Sequence, residues 1–203
     1  MAELTHFCTV DAFNNNVSGF YDSETFLSVA ATSSSNAIEN DILIKFPAMG
    51  LATGDTITAV VFYYYCTANN DGSMVAAYRW YADWNNVWGT LDATDPPISN
   101  IASGTTDEGA DSSVNITVNS WNSHSFGSVS GMPKNAEFNV GITAELADIG
   151  PANMDMDAIE NTNARSPYPA GSGQTDGRVF LLVTYTPAAS STWPGYVAQQ
   201  GWF

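Results

Sequence analysis

Positive charge is scarce in this chain: five Lys and Arg stand against 21 Asp and Glu over 203 residues, a formal net charge of −16. A field of that sign repels phosphate backbones and anionic lipid, so neither nucleic acid nor a membrane surface is an expected partner. Histidine is nearly absent as well. With only His6 and His124 present, and neither in a nucleophile-elbow context, a Ser-His-Asp or Cys-His arrangement has no natural home. A glycosidase needs just two carboxylates, but such a pair ordinarily sits among Arg, Asn and aromatic side chains, which so few basic residues hardly supply. The expectation is a protein that is not an enzyme. Cys8 and Cys66 are too few for a disulfide framework and too far apart for a zinc ribbon. Each lies in an apolar, strand-like stretch where a free thiol packs as a small hydrophobe, with a single bridge as the alternative. Long apolar runs are missing too: the longest, Ala59 to Cys66, is rich in Tyr and falls short of the roughly 18 residues of a membrane span. The start, MAELTHFCTVDAFNNN, has no basic n-region, apolar h-region or small-residue cleavage site, so it does not read as a secretory leader.

What the chain does hold is 44% hydrophobic and 12% aromatic residues, far too much for a disordered acidic coil, so the charge decorates a folded surface. Period-two alternation dominates. It is seen at Ile42, Ile44 and Phe46; at Val114, Ile116 and Val118; at Phe138, Val140, Ile142 and Ala144; and at Val179, Leu181, Val183 and Tyr185. Thr56 to Cys66 is apolar on both faces, which predicts a central strand covered on its second side by loops or a partner. Thr5–Asp11, Thr25–Ala31 and Met74–Tyr81 carry weaker strand signals. With no amphipathic helix, the pattern predicts an all-β fold, a jelly-roll β-sandwich of about eight antiparallel strands. Two stretches without strand periodicity, Ala82–Ser113 and Leu146–Gly177, read as long loops and therefore as places to look for function. The sandwich is expected to span residues 1–186, with 187–203 a linker and an aromatic tail.

The run ILIKFPAMGLATGDTITAVVFYYYC, followed in order by YRWYADWNNVWGT, VNITVNSW, FNVGITAE, ENTNARSP and RVFLLVTY, resembles the DNRLRE family of carbohydrate-binding-module-like β-sandwiches over about residues 9 to 186. The family's Ser-Arg-Glu piece is replaced here by Asn163-Ala164-Arg165-Ser166. The resemblance implies a module found outside cells, on glycan-active enzymes, adhesins and surface proteins, or on phage particles.

Three candidate sites follow. DMDAIE, residues 155 to 160, gathers hard oxygen donors of the kind Ca²⁺ takes. Asp155 and Asp157 are its candidate metal ligands, Asp148 stands nearby, and the resemblance implies Asp11 as a further one. A solvated acidic loop is the alternative. Trp80, Tyr81, Trp84 and Trp88 form the densest aromatic group, a carbohydrate-stacking platform if exposed and packing over an open end of the sandwich if not. Trp193, Tyr196, Trp202 and Phe203 lie beyond the expected domain, where a free chain end is normally polar, so they are candidates for docking onto other copies of the chain or onto capsid or tail proteins. The leading expectation is a structural surface protein of an assembled particle, such as a phage virion decoration, fibre or neck component. A free carbohydrate-binding or adhesion module, extracellular or on a cell surface, is the alternative, and a glycan-active enzyme comes third.

Overall fold

Strands with an inward apolar side chain at every second position build the molecule. A computed structural model describes residues 1–15, 19–31, 39–70, 76–88, 105–146, 152–165, 169 and 176–189. In chain order the strands are β1 (Ala2–Phe7), β2 (Val10–Asn15), β3 (Gly19–Tyr21), β4 (Phe26–Ala31), β5 (Glu39–Phe46), β6 (Thr56–Asn70), β7 (Ala76–Asp83), β8 (Thr106–Ser112), β9 (Ser120–Ser125), β10 (Phe138–Leu146), β11 (Ala152–Asp157) and β12 (Phe180–Thr186). They join one curled antiparallel sheet in the order β1-β12-β6-β11-β4-β5-β10-β7-β8, with β9 added to β6 and β2 to β5. The 15-residue β6 is long enough to pair with β12 and then β11 along one edge and with β9 along the other.

The curl brings the two ends of the sheet face to face over one core. Trp80 of β7 lies against Tyr64 of β6 and His124 of β9, and His6 of β1 stacks near Phe46 of β5 and Phe138 of β10. Ile42, Ile44, Phe46, Phe62, Val140 and Ile142 fill the space between and are fully buried, each worth on the order of 1.5–3 kcal/mol of transfer free energy. Cys8 and Cys66 are buried free thiols, and burial raises both well above the ordinary range, Cys66 to about 12.

The fold is all-β, as the alternation predicts, but three local expectations fail. The described residues hold twelve strands, not about eight: both stretches read as long loops conceal one, β8 in the first and β11 in the second, β3 and β9 lie outside the expected strands, and the expected Thr5–Asp11 strand divides between β1 and β2. Conversely, Val114–Asn119 is not a strand. Ser113–Asn115 is a 3₁₀ turn, and Val114 and Val118 point outward. Side-chain amides have taken over the backbone bonds there. Asn69 Nδ2 donates to the Ser113 carbonyl at 2.8 Å, Asn122 accepts from Thr117 N–H and donates to its carbonyl, both at 2.8 Å, and Asn119 sits at a left-handed φ of 55°.

Candidate functional site: a polar pocket at the β8–β9 seam

β8 and β9 are edges that are not hydrogen-bonded neighbours in the sheet, and side chains join them. The β7–β8 register slips between Trp80 and Tyr81, leaving Glu108 as a bulge beside Gly109, whose φ of 101° suits only glycine. At that bulge the Glu108 carbonyl meets His124 Nε2 at 3.0 Å, and His124 Nδ1 lies 2.9 Å from Asp111 Oδ2. The imidazole is stacked on the Trp80 indole, with centroids 4.2 Å apart and planes 6° from parallel. The Glu108 carboxylate accepts Ser128 N–H at 2.8 Å, and burial raises its carboxyl above the usual range.

A cavity of about 290 Å³ opens beside this junction, lined by Tyr64, Asp111, Asn115, Ile116, Trp121, Asn122 and Ser123. Asn122 is occupied by Thr117 and Ser120, so it braces the wall. The Asp111 side chain is 32% exposed and holds one oxygen on His124. Burial, reinforced by the Asp111 charge, pushes the Tyr64 hydroxyl far above the phenol range and keeps it protonated. Trp121 is half-buried, edge-on to Tyr65 at 5.8 Å and to Phe180 at 5.6 Å.

Trp121 also ends a row of rings on the outer face of β1, β12, β6 and β9. Phe180 stacks on Tyr63 at 5.0 Å and touches Phe7 at 5.8 Å, while the Arg165 guanidinium lies 4.6 Å over the Tyr65 ring. These rings and Arg165 are part of the second-face cover that the doubly apolar β6 sequence requires.

The aromatic group read from the sequence is placed otherwise than a platform needs. Trp80 is 0% exposed, Trp84 7% and Trp88 8%, so these indoles offer no face to a sugar; Tyr81 is half-buried. The cause is Asp83. Its carboxylate accepts Val87 N–H at 2.8 Å, Trp88 N–H at 3.0 Å and Asn139 Nδ2 at 3.0 Å, closing a turn that drives Trp84 onto Phe126 and Phe138 and Trp88 onto Leu43. The Trp84 and Trp88 indole N–H groups have no hydrogen-bond partner among the described residues.

Of the aspartates read as calcium ligands, two are engaged within the protein. Asp157 is fully buried, with its oxygens taken by a forked Arg165, Nη2 to Oδ1 at 2.9 Å, and by Asn161 Nδ2 at 2.7 Å. Asp11 accepts Ile159 N–H at 2.8 Å, and burial pushes its carboxyl up to about 7, with the charge of Glu160 adding to the effect. Asp155 is half-buried in β11. No group of three or more His, Cys, Asp or Glu side chains fit to hold a metal occurs among the described residues. Asp148, Trp193, Tyr196, Trp202 and Phe203 lie outside the described residues.

No family model matches the sequence, and no curated protein matches it. Among solved structures it is similar to a carbohydrate-binding module of the β-sandwich superfamily, at 14% identity and a TM-score of 0.33, over 77% of this chain and 54% of that one. The chain thus spans about half the length of that structure.

Proposed function

We propose that this domain binds a neutral carbohydrate without transforming it, seating a sugar residue in the seam pocket. One observation carries the reading: a single cavity is lined by the half-buried Trp121 together with the polar residues Asp111, Asn115 and Ser123. Sugars ask for that combination, an aromatic surface for their C–H faces and donors and acceptors for their hydroxyls. Charge narrows the class. All five basic residues are engaged: Lys45 with Glu137, Arg79 with Asp107, Arg165 with Asp157, Arg178 with Asp176, and Lys134 on the Thr53 carbonyl. A uronate or sulfated sugar therefore meets a net negative domain with every cation already committed. Catalysis has no support in the same geometry, since His6 bonds to the Pro47 carbonyl and His124 to carboxylate and carbonyl oxygens.

The test is a screen of neutral and acidic oligosaccharides, followed by calorimetry on Trp121→Ala and Asp111→Ala. A neutral glycan is expected to bind, with affinity falling by about tenfold or more in each variant, while each variant still unfolds cooperatively. Failure of every neutral glycan to bind, or unchanged affinity in Trp121→Ala, overturns the reading.

A further inference from the structure

We propose that His124 is a proton-operated latch across the β8–β9 seam, holding the Asp111 wall of the pocket in place while its ring carries two protons and releasing it when one is lost. Both ring nitrogens face oxygen: Nδ1 lies 2.9 Å from the Asp111 carboxylate and Nε2 3.0 Å from the Glu108 carbonyl. A neutral imidazole has one N–H and one lone pair. It can satisfy either contact but not both, and the second would set two lone pairs against each other at hydrogen-bond distance.

The surroundings set carboxylates and a π face against the ring. From β8 the ring is faced by the carboxylates of Asp111 and Glu108. From β7 the Trp80 indole lies flat against it, an arrangement that attracts a cation through the ring's π face. Phe126, after β9, adds a tilted apolar ring at 6.0 Å, and Tyr64 of β6 stays protonated beside Asp111. The seam needs such a device because β8 and β9 share no ladder. Among the described residues, this ring bonds β8 through both of its nitrogens, and the Glu108–Ser128 bond lies beside it. Loss of the second proton therefore loosens β8, and Asp111 with it.

The consequence for ligand affinity rests on the glycan reading, whereas the latch does not. Backbone hydrogen exchange of the ligand-free full chain, corrected for the intrinsic pH dependence of exchange, is followed from roughly pH 5 to pH 8, where histidine changes charge. Nitrogen-15 NMR of the imidazole, assigned against His124→Gln, reports the ring's protons. Exchange at 107–111 is expected to rise on the order of tenfold as His124 loses its second proton, the effect of one hydrogen bond to a charged group, and the step should vanish in His124→Gln. Asp111→Asn, which keeps the shape and drops the charge, should shrink it. Protection of β8 that stays constant while the ring titrates, or a step that persists in His124→Gln, overturns the latch. A neutral oligosaccharide that binds equally across that pH range breaks the coupling alone. Absence of any glycan binding overturns the proposed function and leaves the exchange result to stand by itself.

Discussion

Asp11 is a carboxyl buried without enough to hold its charge. It is 2% exposed, Oδ2 accepts one backbone N–H from Ile159, and Oδ1 has no hydrogen-bond partner among the described residues. Burial is the main reason its carboxyl rises from 3.8 to about 7, with Glu160 adding and the Ile159 bond and Arg178 opposing. A folded-state value above the unfolded one means that the native protein binds more protons between the two. Stability from this group is therefore fully present below about pH 4 and is lost as the pH rises through about 7. Holding the carboxyl at about 7 instead of 3.8 corresponds to about 4 kcal/mol.

Asp11→Asn isolates that quantity, because asparagine has the shape of the protonated acid and does not titrate. At about pH 4 the two proteins should unfold at nearly the same denaturant midpoint. At about pH 8 the variant should be the more stable by about 4 kcal/mol, or roughly 8–16 °C in Tm for a chain of this size. The shifts of His6 downward and Glu108 upward are common to both proteins and cancel in the comparison. Denaturant melts at a series of pH values, with and without EDTA, make the measurement. A difference that does not change with pH refutes the reasoning. A variant less stable at pH 8 also refutes it, and if EDTA then brings the wild type down to the variant, Asp11 is holding a cation after all.

Two further outcomes follow. Gly177 packs so closely on Asp157 that a Cβ would overlap Oδ2, so Gly177→Ala should displace the Arg165–Asp157 fork and cost on the order of 3 kcal/mol; an unchanged urea midpoint would show that the loop yields freely. Truncation after Ala189 retains the Ala188 N–H bond to Asp55 at 2.8 Å and removes Trp193, Tyr196, Trp202 and Phe203. By sedimentation the shortened chain should remain folded and lose self-association or particle binding; association of unchanged strength refutes tail docking, and unfolding places the tail within the domain.

The sequence announces strands whose inward positions are apolar and conceals those whose inward positions are not. β10 and β5 alternate cleanly and pair in register from Phe138↔Phe46 to Ile142↔Ile42. β8, TDEGADS, is invisible because the buried side chain at its centre is Glu108, a residue that signals loop. β11, ANMDMD, does carry the code, with Met154 and Met156 fully buried, but the intervening aspartates read as metal donors. At 114–119 the error runs the other way: valines alternate, yet Asn69 and Asn122 from outside the segment bind its backbone and bend it away from any partner strand. The pocket has no linear signature at all. Tyr64, Asp111 and Trp121 come from separate segments, and only the curl that sets β8 against β9 brings them together. Trp121 closes a strand-like run in the sequence, but nothing in that run shows that it lines the pocket while Trp80, in the denser aromatic group, is sealed inside.

The buried acids explain how so acidic a chain keeps its loops in order. With five cations for 21 carboxylates, most acids cannot end in ion pairs, and a buried carboxylate must find hydrogen bonds elsewhere. Backbone N–H groups are the donors every loop has to offer, and a charged acceptor makes the stronger bond with them. Asp83 takes two from the turn after β7, Asp55 takes those of Ala52 and Ala188, Glu108 takes Ser128, and Asp11 takes Ile159. In each case the acid ties a loop to a strand or strand end. Asp157 departs from the pattern: its partners are the Arg165 and Asn161 side chains, and that arrangement lays Arg165 over Tyr65 beside Trp121. The segment forming the pocket wall, Ser113 to Asn122, is held differently, by the amides of Asn69 and Asn122. Neutral amides keep their bonds at any pH, so the wall itself should not respond to protons. The one charged side chain among the described residues that line the pocket, Asp111, is held instead at the seam it shares with His124 and Glu108.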